Sequence, residues 1–172
     1  MNSEKLTRAD IKKIQDEIVE RKTVLRPKIL EDVKSARAQG DLSENFEYYA
    51  ARKANRENNS RIDYLEKVLK HATIIEEVDD GSVGLNSVVK VRFVERGIDE
   101  NEWDEEEYKI VTSIRSDSMK NKVSIESPLG KALLNKNTDE IVEVVLDNGS
   151  SYELKIIEIN KVSDEDDDIR AF

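Results

Sequence analysis

The sequence predicts an α+β protein, with an antiparallel helical hairpin over residues 1–75 and a small, mainly antiparallel sheet domain over residues 76–172. Three observations predict it. Residues 1–75 hold a single Gly (Gly40) and a single Pro (Pro27) among apolar residues spaced three and four apart, the period of a helix face. The rest of the chain carries short Val- and Ile-rich runs bounded by turn residues, which read as strands. The charge divides at the same place: residues 1–75 carry 16 Lys and Arg against 13 Asp and Glu, net +3, and residues 76–172 carry 12 against 25, net −13.

Thr7 with Asp10 resembles the capping pair that starts a helix. Ile11, Ile14, Ile18, Leu25, Ile29 and Val33 form one stripe, and Ala50, Ala54, Ile62, Leu65, Leu69 and Ala72 a second. Facing Ile14 with Leu69, Ile18 with Leu65 and Val33 with Ala50 makes each pair of residue numbers add to 83, as antiparallel arms require, and puts the turn between Asp41 and Leu42. Arg21 opposite Ile62 and Leu25 opposite Asn58 fit this register poorly. Pro27 predicts a kink, because it removes a backbone donor and crowds the preceding turn. About 33 residues per arm at about 1.5 Å each give a finger roughly 50 Å long.

Gly81 and Gly84 mark a linker. Residues 88–94, 108–114, 122–126, 141–146 and 152–159 read as strands, the last two joined by the hairpin turn Asp147-Asn148-Gly149. Residues 127–134 read as a short helix with Ser127 as its cap and Pro128 as its first residue. Residues 99–107 form an acidic surface loop around Trp103. The acidic tail, residues 163–168, reads as a solubilising segment.

Composition narrows the function. Hydrophobic residues make up 37% and charged residues 38% of the chain, against averages of about 45–50% and about 25%, a balance suited to an elongated, surface-rich protein. No apolar run is long enough for a membrane helix, the N-terminus lacks the apolar core of a signal peptide, and the expected compartment is the cytosol. Without Cys and with His71 alone, thiolate catalysis, Cys-based zinc sites and histidine metal clusters are excluded. A net charge of −10 opposes binding to bulk nucleic acid, which runs on neutralising phosphates with Lys and Arg.

The most informative stretch is the turn, residues 36–52. Asp41 as cap and Glu44 three residues later make a capping box for the second helix. The same two carboxylates, at the end of a finger, suit delivery into a site elsewhere. Mg²⁺ is commonly held by one or two carboxylates with waters and phosphates supplying the rest, so Asp41 and Glu44 are too few for a self-contained site and enough to complete a shared one. Arg37 and Arg52 flank them, and guanidinium forks suit phosphate oxygens; the plain alternative is a solvated charge. Phe46, Tyr48 and Tyr49, three of the nine aromatics, pack the tip or stack on bases.

Residues 36–51 resemble the tip signature of the Gre family (GreA/GreB) of bacterial transcript-cleavage factors. Arg26-Pro27-Lys28-Ile29 and the Ser127-Pro128-Leu129-Gly130-Lys131-Ala132-Leu133 helix resemble that family too, and the likeness spans essentially the whole chain. It implies an N-terminal coiled coil that reaches the active centre of RNA polymerase and an FKBP-like C-terminal domain that docks at the rim of the secondary channel. It further implies rescue of arrested complexes by cleavage of backtracked nascent RNA at its 3′ end. The protein would act as a catalytic cofactor of the polymerase and not as an enzyme, as a monomer, away from membranes. Asp41 and Glu44 would share a Mg²⁺ with the polymerase, Arg37 and Arg52 would contact RNA phosphates, and Ser127 and Pro128 would dock; DNA binding belongs to the same family picture. The chain departs from the family pattern at Thr112-Ser113-Ile114-Arg115-Ser116-Asp117, where a Gly and an acidic turn are usual, and at Asn135, where Gly is common. Three rivals remain: a channel-binding regulator without cleavage activity, a prolyl isomerase, and a plain coiled-coil scaffold. Against the isomerase, Phe93, Trp103, Tyr108, Tyr152 and Phe172 form no recognisable pocket signature.

Overall fold

The computed structural model describes residues 4–38, 46–76, 80–163 and 167–170. The chain divides into two compact units, one built on Asp10–Thr73 and the other on Ile74–Ala171 with Lys5–Ala9.

Strand β1 (Glu4–Leu6) pairs with β2 (Ala72–Ile74) in a two-stranded sheet. Three-residue strands carry too little pattern to be read from sequence. Helix α1 (Arg8–Glu20) begins directly after Thr7, and α2 (Arg26–Ala38) and α3 (Phe46–Lys70) complete the helical unit. Ile14, Ile18 and Ile29 of the first arm and Ile62 and Leu65 of the second are buried, so the predicted stripes supply much of the core; Val68, which belongs to neither stripe, is buried while Leu69 is half-buried. At the far end Tyr48 is buried and Ala50 exposed. An aromatic ring removes far more apolar area from water than a methyl, and it takes the inward face that the register gave to Ala50.

Ahead of Pro27 the helix is loosened instead of broken. Arg21–Leu25 form a π-helical turn, and the Arg26 N–H bonds the Arg21 carbonyl. Proline offers no donor to the turn before it and crowds it; the wider π turn accommodates both. The Thr23 hydroxyl donates to the Val19 carbonyl at 2.8 Å, a back-bond that accompanies bent helices.

The poorly fitting positions form a polar network beside this turn. Arg61, with a side chain only 6% exposed, donates from Nε and Nη2 to the two Glu17 oxygens at 2.9 and 3.0 Å. Arg21 donates to Glu17 at 2.7 Å and to Asn58 Oδ1 at 3.2 Å, while Leu25 turns to solvent. Burial opposes the Glu17 charge, but the hydrogen bonds from Arg61 and Arg21 outweigh it and hold its pKa below the usual 4.5. Glu17→Gln should therefore cost about 2 kcal/mol at neutral pH, the scale of charge-assisted hydrogen bonds. A group with a depressed folded pKa stabilises above its unfolded pKa, and that contribution fades as pH falls through the folded value. Urea titrations of both proteins should thus differ at pH 7 and converge as pH falls below 4.5 and through the folded Glu17 value; a constant difference would rule out the Glu17 charge as its source.

In the second unit a five-stranded sheet runs β5-β4-β3-β7-β6, with β3 Ser87–Phe93, β4 Glu105–Val111, β5 Lys122–Ser124, β6 Ile141–Val145 and β7 Ser151–Lys161. Pairings are antiparallel except β4 with β5. Val89, Val91, Ile110, Val144, Leu154 and Ile156 are buried in a hydrophobic core. Strand β4 starts inside the predicted acidic loop because Glu105 faces Lys90 and Arg92 across the ladder, at 2.7 and 3.0 Å. It ends at Val111, and the chain turns through a 3₁₀ segment, Ser113–Arg115. The predicted hairpin turn closes β6 onto β7, with Gly149 at φ 83° and the Leu146 N–H on the Ser150 carbonyl at 2.8 Å. Helix α4 (Pro128–Leu133) follows the Ser127 cap. Asn135, at φ 61°, occupies the left-handed conformation that glycine and asparagine tolerate best.

Candidate functional site

Helix α2 delivers Arg37 in its last turn, and α3 delivers Tyr48 in its first turn and Arg52 one turn later. The three side chains meet. The Arg37 guanidinium lies 5.6 Å and the Arg52 guanidinium 5.7 Å from the centre of the Tyr48 ring, within cation–π range. Arg37 Nη2 also donates to the Tyr48 hydroxyl at 3.4 Å, and that hydrogen bond is the main cause holding the phenol pKa below its usual value. Tyr49 meets Tyr48 edge-on at 5.9 Å. Phe46 is 86% and Tyr49 54% exposed, so the aromatic trio divides: Tyr48 packs, and the other two face solvent. Tyr49 further lines a shallow depression with Arg52, Lys53 and Arg56.

This arrangement positions two guanidinium groups at the end of the helical unit while leaving both residues exposed. Arg37→Ala should return the Tyr48 phenol toward its ordinary pKa of about 10, read as an upward shift in one component of an ultraviolet alkaline titration. An unshifted titration would break the Arg37–Tyr48 link.

Asp41 and Glu44 lie outside the described residues, as does the rest of the turn between α2 and α3. Among the described residues no group of three or more His, Asp or Glu side chains is placed to hold a metal ion. No helix among them is long and apolar enough to cross a membrane. Ser127 and Pro128 start α4, and the Ser127 hydroxyl is committed there: it accepts from the Gly130 N–H at 3.0 Å and donates to the Ser124 carbonyl at 2.7 Å. Phe93 and Tyr152 stack at 5.9 Å against the sheet core, where Tyr108 also packs.

The tail holds a surprise. Asp167, assigned to a solubilising segment, is 4% exposed and bonds Lys122 at 2.7 Å, Lys109 at 2.8 Å and Arg115 at 2.9 Å. Burial works against its charge, but the Lys109 and Lys122 hydrogen bonds win and pull its pKa down to about 2. Sequence reasoning missed this cluster because Arg115 sits in an irregular stretch with no period to mark it as buried. The one available signal was the departure from the family pattern at residues 112–117.

Residues 4–74 match the family profile described as transcription elongation factor, N-terminal, and residues 78–161 match the profile described as transcription elongation factor, GreA/GreB, C-term. The chain belongs to the GreA/GreB family of transcription elongation factors. It is similar to the transcription elongation factor GreA of Staphylococcus aureus (strain JH9), with 42% identity over 90% of this chain and 94% of the relative. It is also similar to the GreA of Lachnoclostridium phytofermentans, with 39% identity over 91% and 94%. Among solved structures, that of GreA factor homolog 1 (Gfh1) of Thermus thermophilus is 22% identical and covers 92% of this chain and 99% of its own, at a TM-score of 0.43. As a GreA/GreB-family member the protein is an elongation factor that acts on RNA polymerase, not a self-contained enzyme.

Proposed function

We propose that this elongation factor stimulates RNA polymerase to cleave the backtracked 3′ end of its nascent RNA, freeing arrested complexes in the bacterial cytoplasm. The observation that carries the reading is the convergence of Arg37 and Arg52 on Tyr48 at the two helix ends that flank Asp41 and Glu44. In this reading Arg37 and Arg52 hold the phosphates of the displaced RNA, while Asp41 and Glu44 present carboxylates to the scissile bond. Two carboxylates fit a Mg²⁺ shared with polymerase ligands, as that ion is commonly held; when bound it neutralises charge on the phosphate and activates water. Asp41 and Glu44 would hold that ion from this chain's side, and their carboxylates would orient the attacking water by accepting its hydrogen bonds. Duplex DNA binding forms no part of the proposal, since a net charge of −10 opposes it. The test is cleavage in a stalled elongation complex with purified polymerase. Unchanged RNA would favour the rival regulator that occupies the channel without cleaving.

We assign docking to residues 76–172, through Ser127 and Pro128 at the start of α4, and the finger to residues 1–75. The fragment 76–172 is expected to fold alone, to compete with the full chain for polymerase, and to stimulate no cleavage. A fragment that folds and yet fails to compete would overturn the assignment of docking.

A further inference from the structure

Asp167 is surrounded by buried cations. The Arg115 side chain is fully buried, and Lys109 and Lys122 are largely so. Desolvated cations of this kind are stable only with an anion among them. Arg115 is held by partners outside the tail, whereas Lys109 Nζ also donates to the Ser163 carbonyl at 3.0 Å. Arg115 Nε donates to Thr112 Oγ1 at 3.2 Å and its Nη1 to Asn86 Oδ1 at 2.8 Å, while Lys109 stands on β4 and Lys122 opens β5. The anion, by contrast, arrives on a segment beyond residue 161, where the match to the family profile ends. Its geometry is also a compromise: Oδ1 serves Lys122, whereas Oδ2 serves both Lys109 and Arg115. A carboxylate brings two oxygens to three cations; a tetrahedral oxyanion brings one for each, in the charge-assisted geometry that guanidinium and ammonium groups favour.

We propose that Lys109, Arg115 and Lys122 form a binding site for a phosphate-type oxyanion, and that Asp167 occupies it as a tethered competitor. Asp167 lies six positions beyond Lys161, the end of β7. A short tether of that kind acts at an effective concentration on the order of millimolar, so the tail excludes dilute phosphate and yields to concentrated or more highly charged oxyanions. Displacement also frees the tail, because the Arg170 N–H, bonded to the Ile114 carbonyl at 2.9 Å, lies three residues past the carboxylate.

The experiment is calorimetric titration of inorganic phosphate, and separately pyrophosphate, into the full-length protein and its Asp167→Ala variant. Phosphate is expected to bind the variant at least about ten-fold more tightly, since the tethered competitor is gone, and adding Lys122→Ala should abolish the gain. Equal affinity in wild type and variant would overturn the site. Should the variant not fold, the wild-type protein decides the matter: saturable binding of pyrophosphate supports the site, and none at concentrations above about 10 mM overturns it. Amide exchange at Arg170 should quicken with phosphate but not with chloride at matched ionic strength; equal effects of the two salts would leave the tail as a structural strap and nothing more.

Discussion

Asp41→Asn, and Glu44→Gln likewise, should lower stimulated RNA cleavage at least about 100-fold, which corresponds to roughly 3 kcal/mol on the barrier, while melting temperature and polymerase binding stay near those of the wild type. The contrast rests on two roles a carboxylate can fill at this turn. As a helix cap, Asp is matched by Asn, so in a capping role an amide at residue 41 would serve as well. As a Mg²⁺ ligand, Asp is not matched by Asn, because a hard cation needs the negative oxygen. A capping role alone therefore predicts near-normal cleavage, and a metal role predicts its loss. Raising Mg²⁺ should partly restore the single variants, since weakened ligation is offset by mass action. Near-normal cleavage by Asp41→Asn would leave the capping box as the better account of both carboxylates.

What the sequence disclosed follows from where periodicity is strong. Ile14, Ile18, Ile62 and Leu65 lie on clean stripes, and all four are buried. Val142 and Val144 alternate with exposed neighbours in β6, and Ser127-Pro128 caps α4 as its residue types predict. The readings weakened where a local feature depended on distant partners. The π-helical turn at Arg21–Leu25 arises from Pro27 together with packing, and periodicity cannot distinguish it from a kink. Arg21 and Asn58, misfits in an apolar register, belong to a network completed by Glu17 and Arg61. Hydrogen-bond partners 37 and 44 residues apart leave no local signature. The same holds for Arg115 and Asp167, whose 52-residue separation hid a buried ion cluster inside a stretch that composition marks as solvated tail. At the tip, spacing placed Arg37 and Arg52 beside the turn, but only the fold brings both onto Tyr48.

Gly130→Ala should be the most damaging single methyl in the sheet unit, and its sign is diagnostic. Inside a helix, replacing Gly with Ala ordinarily stabilises by up to about 1 kcal/mol. Here a Cβ would stand 2.0 Å from the Ser124 carbonyl oxygen, 2.8 Å from its carbon and 3.0 Å from Ile125 Cα. All three are backbone atoms, so no side chain can swing aside. The Ser124 carbonyl also accepts from the Ser127 N–H at 3.0 Å and the Ser127 hydroxyl at 2.7 Å, and displacing it would break both bonds and disturb the cap on Gly130. Overpacking costs about 1–3 kcal/mol where neighbours can relax and more where they cannot, so about 3 kcal/mol or more is expected. For a unit of this size that is a fall of roughly 12–24 °C in melting temperature. Because α4 carries the proposed docking residues, affinity for polymerase should fall in the same variant, and Ser127→Ala, which removes the cap but adds no clash, should lower the melting temperature by less. A Gly130→Ala protein as stable as the wild type would show that α4 does not lie against Ser124 as described.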